Sequence, residues 1–439
     1  MLHWIFIAAI VLAISLASGL TFLAYAFEAV LLLLLASRVL ARQWITSLTA
    51  ERETSRVVAD VGDTVSVVIR IRNRGMLPIP WCLVEDLLPR GALMFDPPNL
   101  GQKGRRTKLL MLAPRGTTEL RYELQCNTRG YYQLGPTVLE TGDLFGLHRR
   151  YRVAAAPHFL MVYPKVVPLL GYDVRSRRPL GDVRLTHRLF EDPTRIAGVR
   201  PYVAGDSIRR VHWQASARTG ELHSKVYEPS AIAGLTLLLD FHQLSHDPRH
   251  EPFRSELAVT AAASLSQAVY EMGQQVGLVT NGRDAADRIR LQGWGFDMRT
   301  RDAARKAAEM LPESHRLQPL TVPTRVGADQ LLRILATLAR LELTDGLTLP
   351  QLVVECMHRL PRNATVVAII PAVTDEAIVA LTMLKRQGFV VAAVVNMFDD
   401  YDFAQASGSL LAVGIDTYQL KDEAGIASVV APLVHSAAA

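Results

Sequence analysis

The first 37 residues constrain this chain more than any other segment, because they are apolar almost without interruption. Glu28 is the one charged residue between residues 3 and 37. As a single helix this stretch would be roughly 50 Å long, against a hydrocarbon core of about 30 Å. A Ser-Gly-Leu-Thr sequence at its midpoint can turn the chain. The sequence therefore predicts a transmembrane helical hairpin within residues 1–40, with arms at 3–17 and 20–36, and one tilted span is the alternative.

Positive charge follows the apolar stretch, and none precedes it. Arg38, Arg42, Arg52 and Arg56 come soon after its end. Because the cytoplasmic flanks of membrane helices are enriched in Lys and Arg, we expect everything after residue 37 to lie in the cytoplasm, for one span or for two. Trp44 is expected at the membrane interface, where aromatic residues concentrate. The predicted location is the inner (plasma) membrane, with membrane lipid as a partner.

The composition indicates a folded protein of several domains. At roughly 100–200 residues per domain, the 439 residues suffice for two to four domains. A hydrophobic content of 49% with 21% charged residues excludes a disordered chain. The net charge of +6 is too small for this length to indicate a nucleic-acid partner. Cys82, Cys126 and Cys356 are far apart, lack zinc-site spacing and suit a reducing compartment.

Residues 53–165 are predicted to form a β-sandwich-like domain. Residues 64–72 alternate between polar and apolar with a period of two, as a half-buried strand does. Further strand-like runs, punctuated by Gly and Pro, follow at 109–112, 118–127, 131–139 and 151–163. The Asp-Leu-Phe-Gly-Leu sequence at 143–147 is expected to be a packed turn, with docking to a partner as the alternative.

Residues 175–228 form an arginine-rich segment with the densest polar pattern in the chain. Its candidate site residues are Arg200, Tyr202, Gly205, Asp206, Arg209, His212, Trp213, Ser216, Arg218 and Glu228. One interpretation is a partner-docking surface or a structural network in which carboxylates such as Asp206 bind the arginines by forked hydrogen bonds. The alternative is an enzyme acting on an anionic substrate, with His212 as the base. We favour the first and assign no catalytic residue, because no nucleophile with partner groups is visible.

The spacing in this segment closely resembles the signature of the domain-of-unknown-function-58 family. The matching run is Arg200-x-Tyr202-x-x-Gly205-Asp206-x-x-Arg209-x-x-His212-Trp213-x-x-Ser216-Ala217-Arg218-x-Gly220-x-Leu222. The 143–147 loop also fits the family's layout, so the resemblance covers essentially the whole chain. It implies a bacterial or archaeal membrane-anchored protein with a von Willebrand factor A-like C-terminal domain and no established activity. Such proteins are often encoded beside MoxR-type AAA+ ATPases and transglutaminase-like membrane proteins.

Residues 229–439 alternate between apolar runs and helical stretches, which predicts a doubly wound α/β domain. Strands are predicted at 235–239, 276–280, 365–370, 389–395 and 410–413. Helices are predicted at 256–272, 329–341, 349–360 and 375–387. Ligands of such sheets bind at the carboxyl ends of the strands, and Asp240 lies at one such end.

The family resemblance implies a cation site at Asp240, and the residues around it argue against one. His242 and Leu244 stand where the von Willebrand factor A pattern has serines. The second loop, aligned at 327–329, lacks the threonine, and the third, at 371–372, lacks the aspartate. Hard cations need several oxygen ligands in a near-octahedral array, so we predict a degenerate site that holds no metal.

Three histidines offer a separate candidate for metal binding. His242, His246 and His250 are spaced four residues apart, which on one helix could hold zinc. Pro248 interrupts this run, so we expect a solvated polar loop instead.

Together these patterns predict a multidomain, non-enzymatic membrane adaptor that presents cytoplasmic domains to protein partners. The partners that the family resemblance suggests are a MoxR-type AAA+ ATPase and a transglutaminase-like membrane protein. The alternatives are the enzyme acting on an anionic substrate and a metal-dependent adhesion module. No cofactor is expected, because the sequence has neither a Walker A nor a GxGxxG run.

Overall fold

In a computed structural model the chain forms two compact units. The structure describes residues 2–19, 21–93, 97–143, 146, 148–168, 191–203, 211–229, 234–287, 317–362, 364–430 and 433, without the side chains of 2–5, 23, 90, 91, 191–198 and 226–229. The first unit contains Met1–Lys165, Asp284–Glu313 and Ala336–Leu341, and the second contains Val166–Arg283, Ser314–Leu335 and Glu342–Ala439. The predicted domain 229–439 is therefore interrupted by two segments that belong to the first unit.

The first unit begins with a helical hairpin formed by α1 (Leu2–Ala17) and α2 (Thr21–Ser47). One helix, Ala24–Ser47, is long and apolar enough to cross a membrane, and residues 6–17 form a shorter apolar helix. The helix α2 continues to Ser47 instead of ending at residue 36, as the sequence predicted. Trp44 is consequently buried in the core of the strands that follow, and its predicted place at a membrane interface is wrong.

The rest of this unit is rich in strands. They are β1 (Leu48–Thr54), β2 (Val58–Asp60), β3 (Thr64–Asn73), β4 (Ile79–Asp86), β5 (Leu100–Gly104), β6 (Thr107–Leu112), β7 (Thr117–Cys126), β8 (Gly130–Leu134), β9 (Thr137–Gly142), β10 (Arg149–Ala155) and β11 (His158–Tyr163), with a short helix α3 (Arg90–Leu93) after β4. Two four-stranded antiparallel sheets have the orders β1-β3-β7-β5 and β10-β9-β4-β6. A third sheet has the order β2-β11-β8. Because β1 starts at Leu48, the predicted domain boundary at residue 53 lies too late.

The two four-stranded sheets share one hydrophobic core. Val65, Val67, Ile69 and Ile71 of β3 are fully buried, and the residues between them are exposed or half-buried. This confirms the period-two interpretation of that strand. The predicted strands 131–139 and 151–163 are each divided in two, next to Pro136 and Pro157, because proline has no N–H to continue a strand ladder.

A wholly buried ion pair connects the two sheets. Arg52 of β1 and Asp86 of β4 form a forked pair, in which Arg52 Nε lies 3.1 Å from Asp86 Oδ2 and Nη2 bonds Oδ1. Tyr122 of β7 donates to Asp86 Oδ2 at 2.5 Å, and Thr137 of β9 donates to Oδ1 at 2.9 Å. We call these four side chains the Arg52 hub. Burial first, and the neighbouring Asp86 charge second, raise the pKa of Tyr122 far above its usual range.

All five N–H donors of Arg52 have acceptors within the first unit. Besides the two bonds to Asp86, Arg52 Nη1 donates to the carbonyls of Leu134 and Ala156 at 2.9 and 2.8 Å, and Nη2 donates to Thr137 Oγ1 at 2.7 Å. Gly135 has φ = 90° and its missing Cβ would collide with this guanidinium, so both the backbone and the space require glycine. Arg52 is therefore a structural residue, and counting it among the positive charges that flank the apolar stretch was wrong.

The second unit contains a ribbon, an α/β sheet and its helices. The strands are β12 (Glu191–Pro201), β13 (His223–Pro229), β14 (Gly234–Leu239), β15 (Gln275–Thr280), β17 (Leu320–Arg325), β19 (Ala364–Ile370), β20 (Val391–Val395) and β21 (Asp416–Gln419). The helices are α4 (Trp213–Thr219), α5 (Phe253–Glu271), α7 (Leu349–Cys356), α8 (Asp375–Arg386) and α9 (Asp400–Ala412). The remaining elements near the boundaries of the units are β16 (Arg283–Asp284), α6 (Ala328–Arg340) and β18 (Leu341–Glu342). The strand predicted at 410–413 is wrong, because these residues end α9 and begin the turn after it.

The α/β sheet has the order β17-β15-β14-β19-β20-β21. All neighbours are parallel except β17, which runs antiparallel to β15. In order of appearance this is the 3-2-1-4-5-6 arrangement of a doubly wound sheet, with the strand order reversing between β14 and β19. The parallel strands end at one edge, which we call the carboxyl edge, and Asp240 follows β14 there.

We predict that Asp86→Ala strongly destabilises the first unit, because it leaves the Arg52 guanidinium buried without its counter-charge. Breaking a buried pair in this way costs about 3–5 kcal/mol. The measurement is denaturant unfolding of the detergent-solubilised full-length protein, followed by tryptophan fluorescence. Glu53→Ala, which removes an exposed ion pair to Arg70 on the same sheet, is the control and should cost far less. Equal losses for the two variants would contradict the structural role of the hub.

Candidate functional site

The arginine-rich segment forms an antiparallel ribbon that carries a short helix. Strands β12 and β13 pair with Arg200 opposite Ser224, and α4 precedes β13. Six of the predicted site residues are described with their side chains: Arg200, Tyr202, His212, Trp213, Ser216 and Arg218. Gly205, Asp206 and Arg209 lie outside the described residues, and so does the side chain of Glu228. The pairing of Asp206 with the arginines therefore stays a prediction.

His212 and Ser216 hold α4 in place. His212 Nδ1 accepts the N–H of Ala215 at 3.0 Å and so caps the start of the helix. Ser216 Oγ donates to the carbonyl of His212 at 3.1 Å and accepts the N–H of His223 at 2.9 Å. Gly220, with φ = 78°, ends the helix in the left-handed conformation. The histidine proposed as a base thus uses one ring nitrogen to cap the helix.

Apolar side chains of the same ribbon face solvent. Trp213 is 64% exposed, and Val203 and Leu222 are exposed as well. Val203 and Leu222 lie near each other, because the N–H of Tyr202 donates to the carbonyl of Leu222 at 2.8 Å. Arg200 and Arg218 are exposed in the same segment. We call Arg200, Val203, Trp213, Arg218 and Leu222 the ribbon surface.

At the carboxyl edge, Asp240 is buried and bound by amide donors. Its Oδ1 accepts the N–H of His242 at 3.2 Å and Asn281 Nδ2 at 2.8 Å. Asn281 follows β15; its Nδ2 also donates to the carbonyl of Leu347 at 2.9 Å, and its Oδ1 accepts the N–H of Phe241 at 2.6 Å. The asparagine amide therefore connects two strand ends and the loop before α7.

The loop beside Asp240 is not the one that the sequence alignment selected. Strand β17 runs antiparallel, and its last residue, Arg325, pairs with Val276 at the start of β15. Residues 327–329 therefore lie at the edge of the sheet opposite to the carboxyl edge. The backbone of Thr344 instead bonds Phe241 and Gln243, at 3.2 and 2.7 Å. A buried threonine is thus present there, and its Oγ1 accepts the N–H of Gly346. Asp240 and Thr344 together are still fewer oxygen ligands than a hard cation needs.

The three histidines have separate partners. His242 Nδ1 accepts the N–H of Leu244, His246 Nδ1 lies 2.8 Å from Glu251 Oε1, and the His250 ring packs edge-on against Phe398. His242 and His246 are buried, so the prediction of a solvated loop is wrong for them. Within the part of the chain that the structure describes, no group of three or more His, Cys, Asp or Glu side chains could hold a metal ion.

Sequence reasoning missed a second polar cluster at the carboxyl edge. Arg254 at the start of α5 donates from Nη1 to Asn396 Oδ1 at 2.7 Å, and Asn396 Nδ2 donates back to the Arg254 carbonyl at 2.8 Å. The guanidinium also lies 3.1 Å from the ring centre of Phe398. Burial lowers the pKa of Arg254 to about 10. Asn281 and Asn396 directly follow β15 and β20, and a polar residue directly after an apolar strand was the available signal.

The fold and these sites define a multidomain protein with an apolar N-terminal helix, several β-sheets and an α/β unit. Residues 198–316 match the model of a family described as "Protein of unknown function DUF58". The uncharacterized protein YeaD of Bacillus subtilis (strain 168) is 29% identical over 266 residues, which is 60% of this chain and 62% of YeaD. The chain thus matches less than two thirds of this relative's length. These matches confirm the resemblance to the domain-of-unknown-function-58 family.

Solved structures resemble parts of the chain weakly. The CARDB domain of PF1109 from Pyrococcus furiosus, solved in complex with di-metal ions, is 15% identical, covers 26% of this chain and 91% of its own, and has a TM-score of 0.18. Proximal thread matrix protein 1 from the mussel byssus is 10% identical over 47% of this chain and 45% of its own, with a TM-score of 0.29. Both scores are too low to assign a fold or a function.

We predict that Glu251 makes the stability of the second unit pH-dependent. Burial raises the pKa of its carboxyl, but hydrogen bonds from His246 and Ser255 outweigh burial and hold the pKa below its ordinary value. A carboxyl with a lowered folded-state pKa contributes stability that is fully present above the unfolded pKa of about 4.3 and is lost as the pH falls through the lower folded-state pKa. Glu251→Gln should flatten the loss of unfolding temperature over that window. Glu271→Gln, at an exposed position in α5, should retain the full loss.

We also predict that the carboxyl edge takes no magnesium. The Asp240 carboxylate already accepts hydrogen bonds from the Asn281 amide and the His242 N–H. The unfolding temperature in millimolar Mg²⁺ should therefore equal the unfolding temperature in EDTA. The measurement is a thermal-shift titration of the full-length protein. A rise with Mg²⁺ that Asp240→Asn abolishes would show a functional cation site.

Proposed function

We propose that the protein is a non-enzymatic, membrane-anchored adaptor that presents its two units to protein partners in the cytoplasm. The ribbon surface carries this proposal, because it combines an exposed tryptophan with exposed aliphatic side chains and two arginines. Tryptophan and arginine are the residues most enriched at the energetic centres of protein interfaces. An exposed apolar cluster with a polar rim is typical of a docking surface.

The apolar helix α2 supports membrane anchoring. It is long and apolar enough to cross a bilayer, and α1 gives the hairpin a second apolar arm. Arg38, Arg42 and Arg56 follow the apolar part, while the buried Arg52 no longer counts as a flanking charge. The remaining arginines still favour a cytoplasmic location for the residues after α2.

The sheet of the second unit supports a von Willebrand factor A-like assignment. That resemblance implies a doubly wound sheet, and the strand order with its reversal beside β14 agrees with one. Asp240 stands where the resemblance places the first cation ligand. We propose that this domain has kept the scaffold and that the amide of Asn281 now satisfies the carboxylate.

The capping contacts of α4 favour docking over catalysis. An enzyme using His212 would need a ring nitrogen free for proton transfer and a nucleophile within reach. His212 Nδ1 accepts a backbone N–H, so the neutral ring carries its proton on Nε2 and has no nitrogen left to accept another, and Ser216 Oγ bonds the backbone of the same ribbon. We therefore keep the non-enzymatic interpretation. The proposed partner, from the family resemblance, is a MoxR-type AAA+ ATPase, with a transglutaminase-like membrane protein as a second.

We predict that the ribbon surface is needed to recover this ATPase. The full-length protein is purified from native membranes beside Trp213→Ala/Arg218→Ala, and co-purified proteins are identified by mass spectrometry. Trp213→Ala removes the exposed anchor without touching the His212 cap, so circular dichroism should be unchanged and the ATPase should be lost.

The matched control removes the same kinds of side chain elsewhere in the second unit. Tyr401→Ala/Arg249→Ala takes away an exposed aromatic ring and an exposed arginine, and it should retain the ATPase. Recovery of the ATPase by both variants would rule out docking on the ribbon surface. Absence of an ATPase from the unaltered protein would remove the proposed partner itself.

A further inference from the structure

We propose that Arg38, Arg42 and Arg150 form one binding surface for the headgroups of anionic lipids. We call this set the juxtamembrane basic surface. It rests on the proposed membrane anchoring and adds to it that strand β10, a hundred residues further along the chain, also contacts the membrane. The occupant is the lipid phosphate of the bilayer that α2 enters.

The length of α2 places its first two arginines at headgroup depth. The apolar part of the helix runs from residue 21 to residue 36, about 24 Å at 1.5 Å per residue. The headgroup layer on each side of the hydrocarbon core is roughly 5–8 Å thick, which is about four or five helical residues. Arg38 falls within that layer, and Arg42, about 9 Å beyond residue 36, lies at its outer edge, where a long arginine side chain still reaches the headgroups.

A buried contact holds the turn between β9 and β10 at the same depth. Ser37 Oγ donates to Asp143 Oδ2, and both residues are buried. Asp143 Oδ1 accepts the N–H of His148 at 3.0 Å, and the Asp143 carbonyl accepts Trp81 Nε1 at 3.0 Å. The first residue after the apolar part of α2 is therefore attached to the turn that begins β10. Of the packed turn predicted at 143–147, the structure describes Asp143 and Gly146, and residues 144, 145 and 147 lie outside the described residues.

Strand β10 places one more arginine beside α2. Arg152 Nη1 lies 3.4 Å from the carbonyls of Thr46 and Leu48, so this face of β10 is directed toward the end of the helix. Arg150 is two residues nearer the turn and, by the period of a strand, on the same face. It therefore lies along the helix between the Ser37 contact and Thr46, the interval that contains Arg42.

Arg149 lies outside this surface, because neighbouring residues of a strand point to opposite faces. It is opposite Gly142 in the ladder, its side chain is 69% exposed, and the Glu140 carboxylate is 3.8 Å away. Within the described residues, no carboxylate lies at ion-pair distance from Arg38, Arg42 or Arg150. Three guanidinium groups in one region need counter-charge, and arginine forks match phosphate oxygens. Anionic headgroups are the phosphates within reach of this depth.

The test measures lipid selectivity of the full-length protein. The probe is an equimolar mixture of phosphatidylglycerol and phosphatidylcholine in detergent, and native mass spectrometry counts the lipids that remain bound. Each arginine near a membrane surface contributes about fivefold in affinity for anionic lipid. Arg38→Gln/Arg42→Gln/Arg150→Gln should lower the preference for phosphatidylglycerol by at least about tenfold. The control, Arg56→Gln/Arg72→Gln/Arg121→Gln, removes three exposed arginines of the same unit and should keep the preference.

Three results would overturn the inference. They are a preference retained by the first variant, a preference lost equally in both variants, or displacement of phosphatidylglycerol by an equal concentration of inorganic phosphate, which would indicate a site for free phosphate. Extraction of native membranes with alkaline carbonate separates this inference from the proposed function. Release of the unaltered protein by carbonate would refute the anchoring itself, whereas retention without lipid preference would refute the lipid surface alone.

Discussion

The first unit depends on a guanidinium that no water reaches. Arg52 donates all five of its N–H groups inside the protein, and the Asp86 carboxylate accepts four bonds in return. The four side chains of the hub come from β1, β4, β7 and β9, so the hub fixes the two sheets to each other as well as satisfying the buried charge. A hydrophobic core alone tolerates sliding between sheets, whereas a fully bonded fork permits one arrangement. The burial of this charge is tolerable because no donor or acceptor is left over.

The hub and the Ser37–Asp143 contact act on opposite ends of the same β9 strand. Thr137 at its start bonds the hub, and Asp143, directly after its end, bonds the helix α2. The orientation of the helix relative to the sheets is therefore defined by polar contacts at two separated points, with Trp44 and Ile45 packed into the core between them. In the second unit, side-chain amides make the equivalent connections. Asn281 and Asn396 each hydrogen-bond a strand end to a neighbouring element. Both units thus use buried polar side chains where their strands end.

The sequence predicts secondary structure well where the spacing of apolar residues alone determines the element. The alternation around Val65 to Ile71 and the apolar runs of the α/β sheet gave strands that the structure confirms. The burial of single residues was harder to predict. Arg52 and Arg56 have similar sequence surroundings, and only the tertiary structure buries Arg52 and leaves Arg56 exposed. Trp44 was predicted at a membrane interface because the sequence does not show where the apolar helix ends its apolar part and begins to pack on the β-sheets. Thr344 was missed because the reversed direction of β17 cannot be read from its composition, and that direction decides which loops meet Asp240.

The chain passes from α2 into β1 without a linker, Ser47 being helical and Leu48 already paired with Asn73. A flexible linker would let the β-sheets rotate relative to α2, but here α2 continues directly into β1. Any tilt of the helix must swing β1 and, through its ladder, the sheet that contains it. On the proposed topology, the helical segment from Ser37 to Ser47 sets a fixed distance of about 15 Å. Partners of this unit must therefore come to it at a set height above the bilayer, because the unit has no tether with which to search for them.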